Sequence, residues 1–522
     1  MSEPAHYVTS DYYQPGLLSD VGYFAFAVVL ILAAFIAAVV GSQIVLRRSR
    51  NLNPTLRKIL RTFSGLAKPA APLVFKRRGD RLGSREKTEV HYKMKAAARE
   101  SGPVPVPAPA RARPDEVIGG MAEPPTSRKW SSQDYAPSVE EAWPFYGEDE
   151  VLAAAEVLRS GKVNQWTGSR VFDFEQAYTR LLRNGRAIAL TNGSVALELA
   201  LRALRVGPGD EVIVTPRSFV ASASCVRLVG ATPVFVDVDR DSGNITAETI
   251  AAAITPRTKA VIPVHLAGWP ADMPAIMALA RKHGILVIED CAQAHGAEID
   301  GLPVGSFGDV ATFSFCQDKI LSTAGEGGLV SFRDDRAFEW AWSYKDHGKD
   351  RTRALERPAQ PVFRWLHDQV GTNWRMTEIA AAIGLTQLDK LPGWHARRQR
   401  NAETWGEALR AVSGLRAPQP ASNFRHGYYK FYAYLDVDPA DNLRLRDAIL
   451  AGAGAAGLRV FSGSCSEIYR EAAFTDLAVA PLPIARSLGQ SSLMVEVHPT
   501  LDPMRLRDRA DALARIARSV IG

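Results

Sequence analysis

The sequence predicts an α/β protein with a mostly parallel sheet, a smaller C-terminal α/β domain and one transmembrane helix ahead of both. Three observations carry this. From about residue 138 onward, short β-rich runs alternate with helical stretches, the pattern of strands joined by crossover helices. From about Trp394 a long polar helix pattern leads into a mixed α/β tail. Near the start, Val21 to Leu46 contains no charged residue, and about 20 apolar residues suffice to cross the hydrocarbon layer. At 522 residues the chain is about three times an average domain of ~150, so several units are expected.

Taken in order, residues 1–20 form a short tail whose only charges are Glu3, Asp11 and Asp20. Residues 21–46 are the transmembrane helix. A cleaved signal peptide fits less well, because no Lys or Arg precedes the apolar core. A soluble helix apolar all round is costly in water. Arg47, Arg48, Arg50, Arg57, Lys58 and Arg61 follow at once, and the positive-inside rule then puts the rest of the chain in the cytoplasm. Residues 47–140 are a basic and Pro-rich linker. Its basic part either lies on an anionic leaflet, with roughly 1 kcal/mol per cation, or is a solvated tether. Residues 101–126 hold seven Pro and read as extended chain. Residues 141–393 are the large domain and 394–522 the small one.

Composition narrows the function. Hydrophobic residues at 46% and charged residues at 23% exclude a disordered or fibrous chain. The net charge of +7 is local: residues 47–100 carry +12, residues 1–46 carry −3, and the remainder sums to −2. No nucleic-acid partner is expected for the large C-terminal part. Cys225, Cys291, Cys316 and Cys465 include no C-x-x-C pair, so neither a disulfide scaffold nor a zinc knuckle is expected. No His grouping has ligand spacing, and no metal is expected.

The large domain reads as strands at AIAL (187–190), EVIVT (211–215), PVFVDV (233–238), KAVIPVH (259–265), ILVIED (285–290), DVATFSF (309–315) and GLVSF (328–332), with helices including Val195–Leu204 and Asp272–His283. Ligands of such sheets bind at the carboxyl ends of the strands. Three pieces lie there. In TNGSVALELALRAL (191–204) a turn containing Gly193 and Ser194 opens a helix, whose N-terminus favours an anion; a simple helix cap is the plainer reading. Asp290 ends a buried strand, where a carboxylate is costly without a positive partner; it either caps the next turn or meets a protonated ring nitrogen. In FSFCQDKILSTAGEGGLVSF (313–332), Lys319 precedes Gly325, Gly327 and Gly328. A solvated lysine is the plainer reading; above a phosphate site and an electron-sink ring such an amine becomes a Schiff-base candidate.

From about Pro144 to its end the chain resembles the DegT/DnrJ/EryC1/StrS sugar aminotransferase family. The resemblance rests on TNGSVALELAL, GDEVIVTPRSFVASA, AVIPVHLAGWPADM, VIEDCAQAHGA, FSFCQDKILSTAGEGG and GTNWRMTEIAAAIGLTQL, in that order. It implies the aspartate-aminotransferase-like fold type I and pyridoxal 5'-phosphate as cofactor. Lys319 would be the catalytic residue, carrying the cofactor on its ε-amine and then moving a proton between substrate carbon and cofactor. Gly193, Ser194 and Ser314 would hold the phosphate, and Phe219 would stack on the ring. Asp290 would pair with the ring nitrogen, and Gln293 would sit near the phenolic oxygen. Asn373 would reach the phosphate of a neighbouring subunit, so a homodimer is implied. The implied reaction moves an amino group, with glutamate as the usual donor, to a nucleotide-linked keto-sugar for surface glycan or polysaccharide synthesis. With the transmembrane helix, this expects a single-pass inner-membrane enzyme with its catalytic domain in the cytoplasm. One departure is Cys316, where many members have His.

Two rivals differ at Lys319. Relatives with His in place of the lysine are sugar dehydratases, and a membrane-tethered inactive scaffold would have lost its site residues. Lys319, Asp290, Gln293 and Ser314 together disfavour both. Gly452, Gly454 and Gly457 spell G-x-G-x-x-G, but they follow a helical run rather than a strand, so a helix end is expected rather than a dinucleotide site. Trp166, Thr167 and Gly168 either line a substrate entrance or form a packed turn. Asp502 caps the last helix, expected over 503–520.

Overall fold

The computed structural model describes residues 142–183, 185–356 and 363–522. The expected transmembrane helix and the whole of the expected linker lie outside these residues. Among the described residues no helix is long and apolar enough to cross a membrane.

All seven expected strands form. They are β1 (Arg186–Leu190), β2 (Glu211–Val214), β3 (Thr232–Phe235), β4 (Thr258–Ile262), β5 (Leu286–Asp290), and, after a small hairpin of β6 (Glu298–Ile299) and β7 (Leu302–Pro303), β8 (Val310–Ser314) and β9 (Gly328–Phe332). The sheet order is β1-β9-β8-β5-β4-β2-β3. Only β9 runs against the others, so the carboxyl ends of six strands share one edge. Alternation along each strand serves two cores: Ile213, Val261 and Val287 face one, while Val212, Val214, Ile262 and Ile288 face the other. Each such buried side chain contributes about 1.5–3 kcal/mol.

Two of the crossover helices start where short polar side chains accept the free N–H groups of the first turn. Asn192 accepts from Val195 N ahead of Gly193–Ala203, and Asp272 accepts from Ala275 N ahead of Met273–His283. The latter helix stops at Gly284, which has φ +66°, a conformation glycine adopts without strain.

The C-terminal part builds a four-stranded antiparallel sheet from β10 (Leu415–Arg416), β12 (Phe431–Leu435), β13 (Val460–Phe461) and β14 (Ser492–Val495), in the order β10-β12-β14-β13. β11 (Phe424–Arg425) instead pairs with β6. A third core forms around Trp405, Leu409, Ile449 and Leu513, closed by the helix Pro503–Ile521, which Asp502 caps through Met504 N and Arg505 N.

The division expected at 393/394 is not a break in the chain. One helix, Glu378–Arg410, runs through it. It begins well before Trp394 because its first turns are small residues that fit against the helix Arg170–Leu182: a Cβ on Gly384 would lie 2.7 Å from the Phe174 ring. Residues 468–477 also return to the large sheet. Ile468 N donates to Pro216 O at 3.0 Å, and Tyr469 and Phe474 pack edge-on against Phe235.

Candidate active site

Gly193, Ser194 and Ser314, three of the expected residues, are brought together at the carboxyl edge. Gly328 is the register partner of both Leu190 and Ser314, so the turn after β1 lies beside the end of β8. Gly193 starts its helix so close to Ser314 that a Cβ would sit 2.7 Å from the serine Cβ. Gly328 is equally constrained, since a Cβ there would lie 2.1 Å from Asn192 O. Its missing side chain makes room for the neighbouring backbone turn rather than for a ligand. Ser194 is exposed in the first helical turn and Ser314 is buried. N–H groups at a helix start with two hydroxyls nearby suit an anion.

Asp290 ends β5 and is 3% exposed. Its carboxylate accepts from Ser222 Oγ at 2.8 Å and Ala292 N at 3.1 Å. Burial raises its affinity for a proton, while those two hydrogen bonds and the charge on Lys319 pull the other way without prevailing. Such a carboxylate gains from a cationic partner. Phe219 lies three residues before Ser222 and is 38% exposed. Gln293 is buried in the turn after β5, with Oε1 accepting from Ala267 N at 2.7 Å.

Lys319 follows β8 in a tight loop, its N–H donating to Cys316 O at 3.1 Å. Its side chain is 14% exposed, with Nζ 3.7 Å from Asp318 Oδ1 and 4.9 Å from the centre of the Tyr429 ring. Trp143 Nε1 donates to Lys319 O at 2.9 Å, which holds the loop from the start of the described chain. Asn373 is exposed on an extended segment whose backbone pairs with Asp346 and, two residues on, with Leu190.

Several contributors escaped sequence reading. Ser222 lies inside a recognised block, but only the fold turns its hydroxyl onto Asp290. Tyr429 arrives from the C-terminal part of the chain, 111 residues beyond its partner Asp318. His295 links the phenol of Tyr178, accepted at Nδ1 at 2.6 Å, to Ser314 O, reached by Nε2 at 2.9 Å. Burial pushes its pKa down to about 3, so it is a neutral spacer behind the serine.

His265, Glu289 and Cys291 place ligand-type atoms within 4.8 Å of one another. Glu289 is already occupied by N–H groups of Gly305, Phe307 and Gly308. His265 takes the Ala271 N–H on Nδ1, so Nε2 carries the proton directed at Glu289, 3.2 Å away. This is a closed structural network. Gly452 and Gly454 lie in the last turns of the helix Asn442–Ala455, as their context predicts. Trp166 belongs to a turn closed by Thr167 N on Asn164 O and packs on Trp342.

The profile of the DegT/DnrJ/EryC1/StrS aminotransferase family matches residues 144–513. A UDP-N-acetyl-3-dehydro-alpha-D-glucosamine 3-aminotransferase of Acidithiobacillus ferrooxidans is 40% identical over 336 residues, covering 63% of this chain and 82% of that protein. A GDP-perosamine synthase of Caulobacter vibrioides is 38% identical over 339 residues, covering 64% of this chain and 86% of that protein. The solved structure of an aminotransferase from Psychrobacter cryohalolentis superposes with a TM-score of 0.70 at 45% identity, covering 74% of this chain and all of that one.

Proposed function

We infer from one premise, that the chain belongs to the DegT/DnrJ/EryC1/StrS aminotransferase family, that it transfers an amino group to a nucleotide-linked keto-sugar using pyridoxal 5'-phosphate. The observation that carries the cofactor reading is the placing of Asp290 and Lys319 after the ends of the neighbouring parallel strands β5 and β8. An amine and a carboxylate short of positive charge stand within electrostatic reach, beside a helix start where Gly193 meets Ser314.

The residues fit the group. Gly193, Ser194 and Ser314 would hold its phosphate, with Asn373 of a second copy completing the cradle in a homodimer. Phe219 would cover one ring face, Asp290 would hold the ring nitrogen protonated, and Gln293 would address the phenolic oxygen. When bound, the cofactor supplies an electron sink that stabilises negative charge at the carbon bearing the nitrogen. Lys319 would hold it covalently at rest. Once freed by the donor amine, Lys319 Nζ would take the proton from the donor carbon and deliver it again, as a general base and then acid.

The relatives' named activities support a nucleotide-sugar acceptor, and glutamate is the proposed donor. Residues 21–46 are proposed to anchor the enzyme at the inner membrane, with catalysis on the cytoplasmic side beside glycan assembly. The decisive experiment incubates purified full-length protein with cofactor, glutamate and a panel of nucleotide keto-sugars. It reads the aminated product by mass, and the cofactor-bearing peptide after borohydride reduction. Amination with the label on Lys319 is expected; no label on Lys319 would overturn the cofactor reading, and absence of every aminated sugar the acceptor reading. Recovery of full-length chain in the soluble fraction would overturn the anchor.

A further inference from the structure

The loop that carries Lys319 holds a second charged group to which the reading above gives no role. Asp318 directs Oδ1 at Lys319 Nζ, 3.7 Å away, and Oδ2 receives the phenol of Tyr429. Tyr429 is 7% exposed and reaches across from the approach to β12, with its ring face against the same ammonium. A carboxylate met by a cation on one oxygen and a hydroxyl on the other is fixed in direction as well as in charge.

We propose that Asp318, clamped by Tyr429, is a positioning residue whose negative charge faces Lys319 Nζ and aims it. The proposal rests on Lys319 being the cofactor-bearing amine. Asp318 is itself well suited to stay ionised: burial raises its proton affinity, but the charge on Lys319, the Tyr429 hydroxyl and the charge on Lys430 outweigh that and hold it below the usual carboxylate range.

The other titratable groups facing Lys319 do not replace it. Asp290 answers to Ser222 and Ala292. His295 is neutral, and burial pushes the Cys316 thiol up, so it too is uncharged. Lys430 is a cation whose ammonium stands over the same Tyr429 ring at 5.2 Å, so it has the wrong sign to pair with Lys319. Among the described residues, the ion pair of Lys319 is with Asp318.

The test uses full-length protein loaded with pyridoxal 5'-phosphate and follows the pH titration of the lysine-linked chromophore by absorbance. Removing a negative charge this close lowers a cation's pKa by about 1–2 units, so Asp318→Asn is expected to drop the midpoint by that much. Asp318→Glu should restore part of the drop, which a purely structural role would not do. Tyr429→Phe should move the midpoint in the same direction by less. An Asp318→Asn midpoint unmoved from wild type overturns the proposal. Should that variant not retain cofactor, an unmoved midpoint in Tyr429→Phe does so. A wild-type protein with no lysine-linked chromophore is a different result, and it defeats the cofactor assignment itself.

Discussion

Two buried carboxylates of this molecule, Asp290 and Asp346, have opposite surroundings. Asp346 follows the helix Asp335–Lys345 and is fully buried. Its Oδ1 accepts from Lys349 at 3.0 Å and Arg375 at 2.8 Å, and Lys345 Nζ stands 3.7 Å from Oδ2. Burial alone would raise its proton affinity, but the charges of Lys345, Lys349 and Arg375 outweigh it and the pKa falls. Asp290 is as well hidden but has a hydroxyl and one backbone N–H as hydrogen-bond partners, and its pKa rises. A carboxylate compensated by its own chain is finished structure. One left short of charge at a strand end would gain from a cationic partner.

This contrast can be broken or sharpened by four substitutions. The largest effect is expected for Lys319→Ala, which should lower amino transfer by at least about 10³-fold, since the covalent amine and the proton carrier are removed together; single-turnover assays with glutamate measure it. Next, Asp346→Asn should destabilise the fold by about 3–5 kcal/mol, because three cations lose their buried partner; urea unfolding followed by fluorescence reads this. The acid limb should change as well. A depressed carboxyl pKa contributes stability above its unfolded value of about 3.9 that is lost as pH falls through the folded value. The Asp346→Asn protein should therefore lose less on acidification than wild type.

Asp290→Asn should show the reverse pattern. A raised carboxyl pKa gives stability that is present below about pH 3.9 and lost as pH rises through the folded value. Without cofactor the variant should thus be at least as stable as wild type at neutral pH, while loaded protein should lose roughly 10²-fold in transfer because the proposed counter-charge of the ring nitrogen is removed. Equal destabilisation by both Asp→Asn changes at neutral pH would erase the distinction. The smallest effect is expected for Ser222→Ala, about 1 kcal/mol, seen as a tenfold or smaller loss in transfer with Asp290 pushed further toward its protonated form.

Much of the large domain was legible because parallel strands buried on both faces are short apolar runs between turns, and all seven such runs became strands. The turn at Asn192 and the carboxylate at Asp290 were legible because strand ends and helix starts have local signatures. What escaped depends on distant chain. No local pattern announces that Tyr429 meets Asp318, that Trp143 holds Lys319 O, or that Ile468 returns to Pro216. The helix Glu378–Arg410 was placed too late because its first turns face a neighbouring helix through alanines and a glycine, which leaves little polar periodicity to read.

That same helix has a mechanical consequence. At 33 residues and 1.5 Å of rise each it is a rod of about 50 Å. Glu378 anchors one end by accepting the N–H groups of Arg170 and Val171, and Trp405 and Leu409 embed the other in the third core. Pro392 lies between and cannot donate to the carbonyl four residues back, so one rung of the ladder is missing there. Bending compliance is therefore concentrated at a single swivel. From Pro392 to Arg410 the arm is about 27 Å long, so a tilt of about 5° there would carry its tip through about 2 Å.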